Sequence, residues 1–309
     1  MSATTRWRDT ITKAGIGEIV DQMTSPVQDD ERSGSYFWKN IRCRRVFEDP
    51  VLQKMMLNGE EISYSAVHYS YDAVTAGDVP DEDRILAKNG LIVIYRSKGK
   101  TYYIVDQNST AQKLLRKILG YTGKSEIQKS NFDFPGDFFV WLVSRVYNSD
   151  CEIANTATDE EKVLELEEIK GIRGNTEDLQ TIISASGESV MNVISTLSFL
   201  LESRKLNQVI LNLRYSEHEN ICVKIQNATV EYQRPYKGVF EEDPQNDPDQ
   251  FSAKLYLLLY LEILPLLEQE YRSNLDTEAW GPSAYRTFLQ ELKDNIIQKI
   301  EEKINSVKQ

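Results

Sequence analysis

The chain has 309 residues, of which 40% are hydrophobic and 27% charged. That composition belongs to a folded protein and is long enough for one large domain or two ordinary ones. Its net charge of −12 is one-sided: residues 1–150 carry 20 Lys/Arg against 20 Asp/Glu, and residues 151–309 carry 16 against 28. The second half is therefore a poor general binder of nucleic acid, and three scattered cysteines with two lone histidines offer no paired zinc ligands.

In chain order, Trp7, Ile11, Ile16, Ile19 and Val20 have roughly helical spacing across the first 20 residues, weakened by Gly15 and Gly17. Residues 24–35 form a polar loop, and a short helix is predicted from Pro50 to Leu57. The alternation of Tyr and Val over 61–71 predicts a strand. Leu91–Tyr95 and Tyr102–Val105 flank a Gly99 turn and read as a β-hairpin. A helix with Leu114, Leu115, Ile118 and Leu119 inside follows, then another over 134–147. Residues 148–161 are polar and read as a linker.

Beyond it, strands are expected at 163–169 and 179–183 around a turn at 171–178, with a helix opening at Ser184 and running through Leu201. Strands at 209–213, 221–225 and 228–232 come next, then an acidic loop at 241–250. The rest is helical, at 251–272 and 283–307. The expected class is α+β, with mixed or antiparallel sheets in two lobes (1–147 and 160–309), a hairpin-plus-helix unit in each and a helical C-terminal region.

MSATTRWRDT carries no apolar core behind its basic residues, so no secretory signal is expected there. Glu262 and Pro265 interrupt the run Leu255–Leu267, which reads as a core helix rather than a membrane span. With unpaired cysteines Cys43, Cys151 and Cys222, a reducing, cytoplasmic setting is expected. His68, in a strand, and His218, in a turn, are expected to be structural or merely exposed.

Several segments carry candidate chemistry. Tyr121-Thr-Gly-Lys-Ser ends like a phosphate loop, but Ile118 stands where the first glycine should be. Gly187-Glu-Ser189 lacks the second glycine of a nucleophile elbow, because Met191 holds that place. The acidic loop 241–249 lacks calcium-loop spacing. Glu168-Ile-Lys170 follows an apolar strand and puts a carboxylate and a lysine on one strand face. These residues resemble the core of the PD-(D/E)xK nucleases. The resemblance covers a handful of residues and implies a metal-dependent nuclease, with Asp150 or Asp159 as the upstream metal-binding acid.

Two basic groups lie in the neutral half. One is Arg42, Arg44 and Arg45 behind Tyr36-Phe-Trp38, and the other is Arg96, Lys98 and Lys100 among Tyr95, Tyr102 and Tyr103. Cations neutralise phosphates and aromatics stack on unpaired bases, so a nucleic-acid sensor working through the 95–103 hairpin is one alternative. The last helix carries Phe288, Leu292, Ile296, Ile300 and Ile304 four apart. That stripe is expected to dock on the 251–272 helix and to leave part of itself for a protein partner or a second copy. With no complete catalytic motif, the leading expectation is a non-catalytic binding or adaptor subunit of a multi-protein assembly, such as a microbial defence system, with no cofactor or resident metal.

Overall fold

The computed structural model describes residues 3–30, 37–75, 77–107, 109–156, 162–175, 182–186, 194–202, 205–241 and 247–307. In chain order the elements are β1 (Thr5–Asp9), α1 (Ile16–Thr24), β2 (Phe37–Arg45), β3 (Gln53–Leu57), β4 (Glu60–Val74), β5 (Ile85–Ser97), β6 (Lys100–Val105), α2 (Ala111–Ile118), β7 (Ile127–Lys129), α3 (Gly136–Tyr147) and β8 (Glu152–Asn155). They continue with β9 (Lys162–Asn175), β10 (Ile182–Ser186), α4 (Ile194–Glu202), β11 (Lys205–Tyr215), β12 (His218–Gln226), β13 (Thr229–Lys237), α5 (Pro248–Leu258), a π turn (Leu259–Ile263), α6 (Leu264–Asp276) and α7 (Pro282–Val307). The class is α+β, and every strand pairing among the described residues is antiparallel. The chain divides into two compact units: residues 1–131 with 240–262, and residues 132–239 with 263–309.

The first unit is built on a sheet in the order β2-β4-β5-β6-β1-β7, with β3 also pairing β4. Its strands alternate, and odd positions of β4 (Val67, Tyr69, Tyr71) join Ile92, Ile94 and Tyr103 in one core. α1 closes that core with Ile16, Ile19, Val20 and Met23, the spacing of one helix face, and α2 adds Leu114, Leu115 and Ile118. Tyr64 and Ala66, at even positions of β4, are buried as well, and α5 packs on β4 and β5. Both faces of β4 are thus covered.

Two-residue turns join β3 to β4 and β5 to β6. Asn58 and Gly59 have φ of 48° and 73°, and Lys98 and Gly99 have 48° and 72°. This is the left-handed pair whose twist matches that of the strands. The first turn corrects the helix expected over Pro50–Leu57. Gln53, Lys54, Met55 and Met56 favour a helix in isolation, but the Asn-Gly turn folds them back as a strand on Glu60–Tyr64. The helical spacing over residues 1–20 is corrected too. Residues 5–9 form β1, with Thr5, Trp7 and Asp9 inward, and the helix starts only at Ile16.

The second unit holds a sheet in the order β10-β9-β11-β12-β13, with β8 also on β9. β8 lies within the stretch read as a linker, and β9 runs on through Asn175 where a turn was expected from Gly171. One face of the sheet is apolar and buried, with Leu164, Leu166, Ile169, Val209, Leu211, Leu213, Val223 and Ile225. α3 packs on β9 and β11. The alternate positions are ion-paired: Arg214 with Glu165 and Glu167, Lys170 with Glu168, and Lys224 with Glu231.

The helical stretch Pro248–Asp276 extends past the expected 251–272 at both ends. Asp247 caps it by accepting a hydrogen bond from the Asp249 amide at 3.1 Å, and Pro248 opens it without losing a bond. By length and composition it is apolar enough to cross a membrane, although 67% of its apolar window is buried within the protein. Glu262, in the π turn, is one of the few buried acids. Its Oε1 accepts the Asn58 amide at 2.5 Å, and Asn58 Nδ2 donates to Leu261 O at 2.6 Å. The carboxylate that interrupts the apolar run thus satisfies a hairpin turn.

Candidate functional site

The nuclease residues share a face but not a centre. A register shift beside Leu213 brings Glu168 and Lys170 to the polar face of β9, opposite Asn212. There they pair with each other at 2.7 Å. Asp150 follows α3, where Arg145 holds it at 3.0 Å. Asp159 lies outside the described residues, as do Gly187 and Ser189. Among the described residues no three His, Cys, Asp or Glu side chains converge to hold a metal ion.

Most of the basic groups in the first unit are committed within it. Arg44 pairs with Asp249 at 2.8 Å and Arg45 with Asp21 at 2.5 Å. Arg96 is half-buried and donates to Ala14 O at 2.6 Å. Arg42, Lys98 and Lys100 are exposed. Of the flanking aromatics, Trp38, Tyr95 and Tyr103 are core residues, and Tyr102 stacks on Tyr95. Their rings are occupied by the fold and not presented for stacking on bases. The segment 121–125 follows the C-terminal end of α2, where helix carbonyls and not amides are exposed, the wrong dipole end for phosphate.

Two polar centres in the first unit escaped sequence reading. His68 Nδ1 and Arg44 Nη2 both meet Asp249 Oδ2, at 2.9 and 2.8 Å. Asp106 Oδ1 accepts hydrogen bonds from the Leu91 amide at 2.8 Å and Tyr69 Oη at 3.0 Å. Burial pushes the Asp106 carboxyl up to about 7, although these hydrogen bonds pull it the other way. The carboxyl lies over Gly90, where a Cβ would sit 2.1 Å from Asp106 Oδ1. It ties β5 to the loop after β6, which is a structural task. In the second unit His218 is buried against the Tyr236 hydroxyl at 2.6 Å, and burial pushes its imidazole down to about 4.

The C-terminal helix leaves a row of apolar surface exposed. α7 is 26 residues long, about 39 Å. Its first half is docked: Phe288 and Leu292 are buried, and Phe288 meets Tyr147 of α3 edge-on at 5.7 Å between ring centres. α7 packs on α4, which corrects the expected docking on 251–272. The α4 segment is itself apolar and needs a cover. The second half is different. Ile296 is half-buried, while Ile297, Ile300 and Ile304 are 45%, 45% and 52% exposed.

Beside the docked half of α7 lies a groove of about 350 Å³, whose walls include Trp141, Arg145, Asp150, Trp280, Phe288 and Glu291. α3 supplies Trp141 and Arg145, the segment after α6 supplies Trp280, and α7 supplies Phe288 and Glu291. Sequence reading had singled out Asp150 and Phe288 for other reasons. Nothing in their spacing pointed to a shared groove, because its residues come from separated helices.

No protein-family model matches the chain, and no curated protein matches it either.

Proposed function

We propose that this protein is a non-catalytic binding or adaptor subunit that assembles through the C-terminal half of α7, and that the occupant of that face is a second copy of the chain. The observation that carries the reading is the row Ile297, Ile300 and Ile304, left exposed on a helix whose earlier apolar positions Phe288 and Leu292 are buried. An apolar row on an ordered helix gains from being covered, about 25 cal/mol per Å² removed from water.

A second copy fits for two reasons. Residues 282–307 carry four cations, Arg286, Lys293, Lys299 and Lys303, and four anions, Glu291, Asp294, Glu301 and Glu302. The helix is therefore neutral in a strongly acidic half, and two such helices approach without net repulsion. An antiparallel crossing centred on Ile300 also sets Ile296 against Ile304 and Lys299 against Glu301. Ridges of four-residue spacing pack into one another at about −50°, a short crossing that suits an exposed patch of about three turns. A two-fold pairing of this kind is self-complementary. We place the subunit in the cytoplasm, on its three free thiols.

Sedimentation equilibrium over a wide concentration range tests the reading. The wild type should fit a reversible monomer–dimer equilibrium, and Ile300→Asp with Ile304→Asp should stay monomeric with an unchanged melting temperature at low concentration. A wild type that is monomeric throughout, or a dimer that survives both substitutions, overturns it.

A further inference from the structure

We infer that the groove between α3 and the start of α7 binds a small organic cation, a guanidinium or ammonium group the size of an arginine or lysine side chain. This goes beyond the assembly reading and does not depend on it.

The inference starts from Arg145, the one lining cation of the groove among the described residues, whose side chain is 7% exposed. Four of its N–H contacts are made inside the protein. Nε donates to Asp150 O at 2.8 Å, Nη1 to Glu270 Oε1 at 2.8 Å, and Nη2 to Asp150 Oδ1 at 3.0 Å and Glu152 O at 2.8 Å. A guanidinium has five N–H groups, so little of this one is left to hold an anion. Three other wall donors are also used inside the protein. The Trp141 indole donates to Asn274 Oδ1 at 3.2 Å, Asn274 Nδ2 to Glu270 Oε1 at 3.0 Å, and the Ser144 hydroxyl to Trp141 O at 2.8 Å.

Acceptors and negative charge face the groove instead. Two lining carboxylates, Asp150 and Glu291, stand against the one guanidinium of Arg145, and Glu270 behind the wall also takes part of its charge. Asp150 and Glu291 line the mouth, where the Asp150 side chain is largely exposed. The depth is aromatic, with Trp141, Trp280 and Phe288 all buried. Arg145 already lies over the Trp141 ring, 5.6 Å from its centre, so one ring of this wall holds a guanidinium within the fold. Carboxylates at the rim and aromatic rings below are the two features that stabilise a partly desolvated cation. The volume, about 350 Å³, sits at the small end of ligand sites and suits a single side-chain-sized group.

Titration calorimetry and the two indole N–H resonances of Trp141 and Trp280 test this with arginine amide as probe. The probe is α-N-acetylated so that the guanidinium is its one charge; citrulline amide, likewise α-N-acetylated and then its neutral isostere, and sodium sulfate serve as comparisons. Arginine amide should bind and move both indole signals, and citrulline amide should bind at least about tenfold more weakly. Glu291→Gln, at an exposed helix position that leaves folding intact, should weaken arginine amide by about fivefold or more. Trp280→Phe, which keeps an aromatic wall, should retain part of the affinity. Equal binding of the neutral isostere, indifference to Glu291→Gln, displacement by sulfate, or no shift of either indole each overturns the inference. These readings are unaffected by whether the chain dimerises, and repeating them on Ile300→Asp with Ile304→Asp separates the two questions.

Discussion

The two units use similar parts to opposite ends. In the first, α1 and α2 lie on one face of the sheet, α5 packs on β4 and β5, and many of the charged groups pair with one another. Asp30 holds Lys113 and Lys117, Asp249 holds Arg44 and His68, and Asp21 holds Arg45. In the second, one sheet face is apolar and buried while the other carries ion pairs. The longest helix keeps half its apolar row in water, and a groove lined by two carboxylates and one guanidinium opens beside it. The pairing follows the fold and not the halves of the sequence, because Asp249, which answers Arg44 and His68, comes from the acidic half of the chain. The two surfaces proposed for binding both lie in the second unit.

The sharpest way to break this contrast is within α7 itself. Leu292→Asp puts a charge where Leu292 is 0% exposed, and should cost about 4 kcal/mol or more. Ile304→Asp, at a site 52% exposed, should cost within about 0.5 kcal/mol in the monomer. Urea unfolding of both variants at low protein concentration checks this. Similar losses for the two would mean that the helix is covered along its whole length.

The units should also respond oppositely to pH. Asp106 is an acid with a raised folded value, about 7, so the folded first unit keeps a proton that the unfolded chain releases above its ordinary value near 4. Stability is therefore highest below pH 4, falls between about 4 and 7, and is level above. Asp106→Asn keeps the acceptor for Leu91 and Tyr69 and should stabilise the first unit at pH 8 by up to ~4 kcal/mol. His218 is a base depressed to about 4. Its contribution is whole above 6.5 and is lost as pH falls from 6.5 to 4, by up to ~3 kcal/mol in the second unit. Site-resolved hydrogen exchange at pH 4.5 and pH 8 reads the two units separately, and parallel responses would contradict the assignment.

A smaller effect, about 2 kcal/mol, is expected from Gly90→Ala, because the new Cβ displaces the Asp106 carboxyl. The pH dependence of the first unit should shrink with it. Smallest is Glu168→Ala or Lys170→Ala. Their half-exposed pair should change stability by no more than about 1 kcal/mol, measured by thermal melting.

Much of the fold was legible because periodicity is a local signal. The β5–β6 hairpin, α2, α3, the β11–β13 meander and α7 follow from alternation or helical spacing with turn residues at their ends. β3 was misread although its signal, Asn58-Gly59, was present. The turn that reverses the chain outweighs the helix propensity of Met and Gln there. β1 was misread because Trp7 and Ile11 fall by chance at helical spacing with Ile16. The candidate sites were less legible. Asp106 over Gly90, and Trp141 beside Trp280, are close only after folding. In α7 the stripe could be seen in the sequence, but not where its cover ends, because α4 covers only part of it.

The most direct test of the assembly claim is interchain disulfide trapping at the centre of the proposed crossing. Ile300→Cys should form a covalent dimer on mild oxidation, with the linked peptides identified by mass spectrometry as residue 300 to residue 300. Glu302→Cys, which faces Gln298 across an antiparallel crossing, should link poorly to itself. The result expected is a fast, concentration-dependent 300–300 link that adding Ile304→Asp abolishes. The contrary result is no such link while the chain is otherwise folded, or equal linking at 302, and either would show that α7 does not meet a second copy through this row.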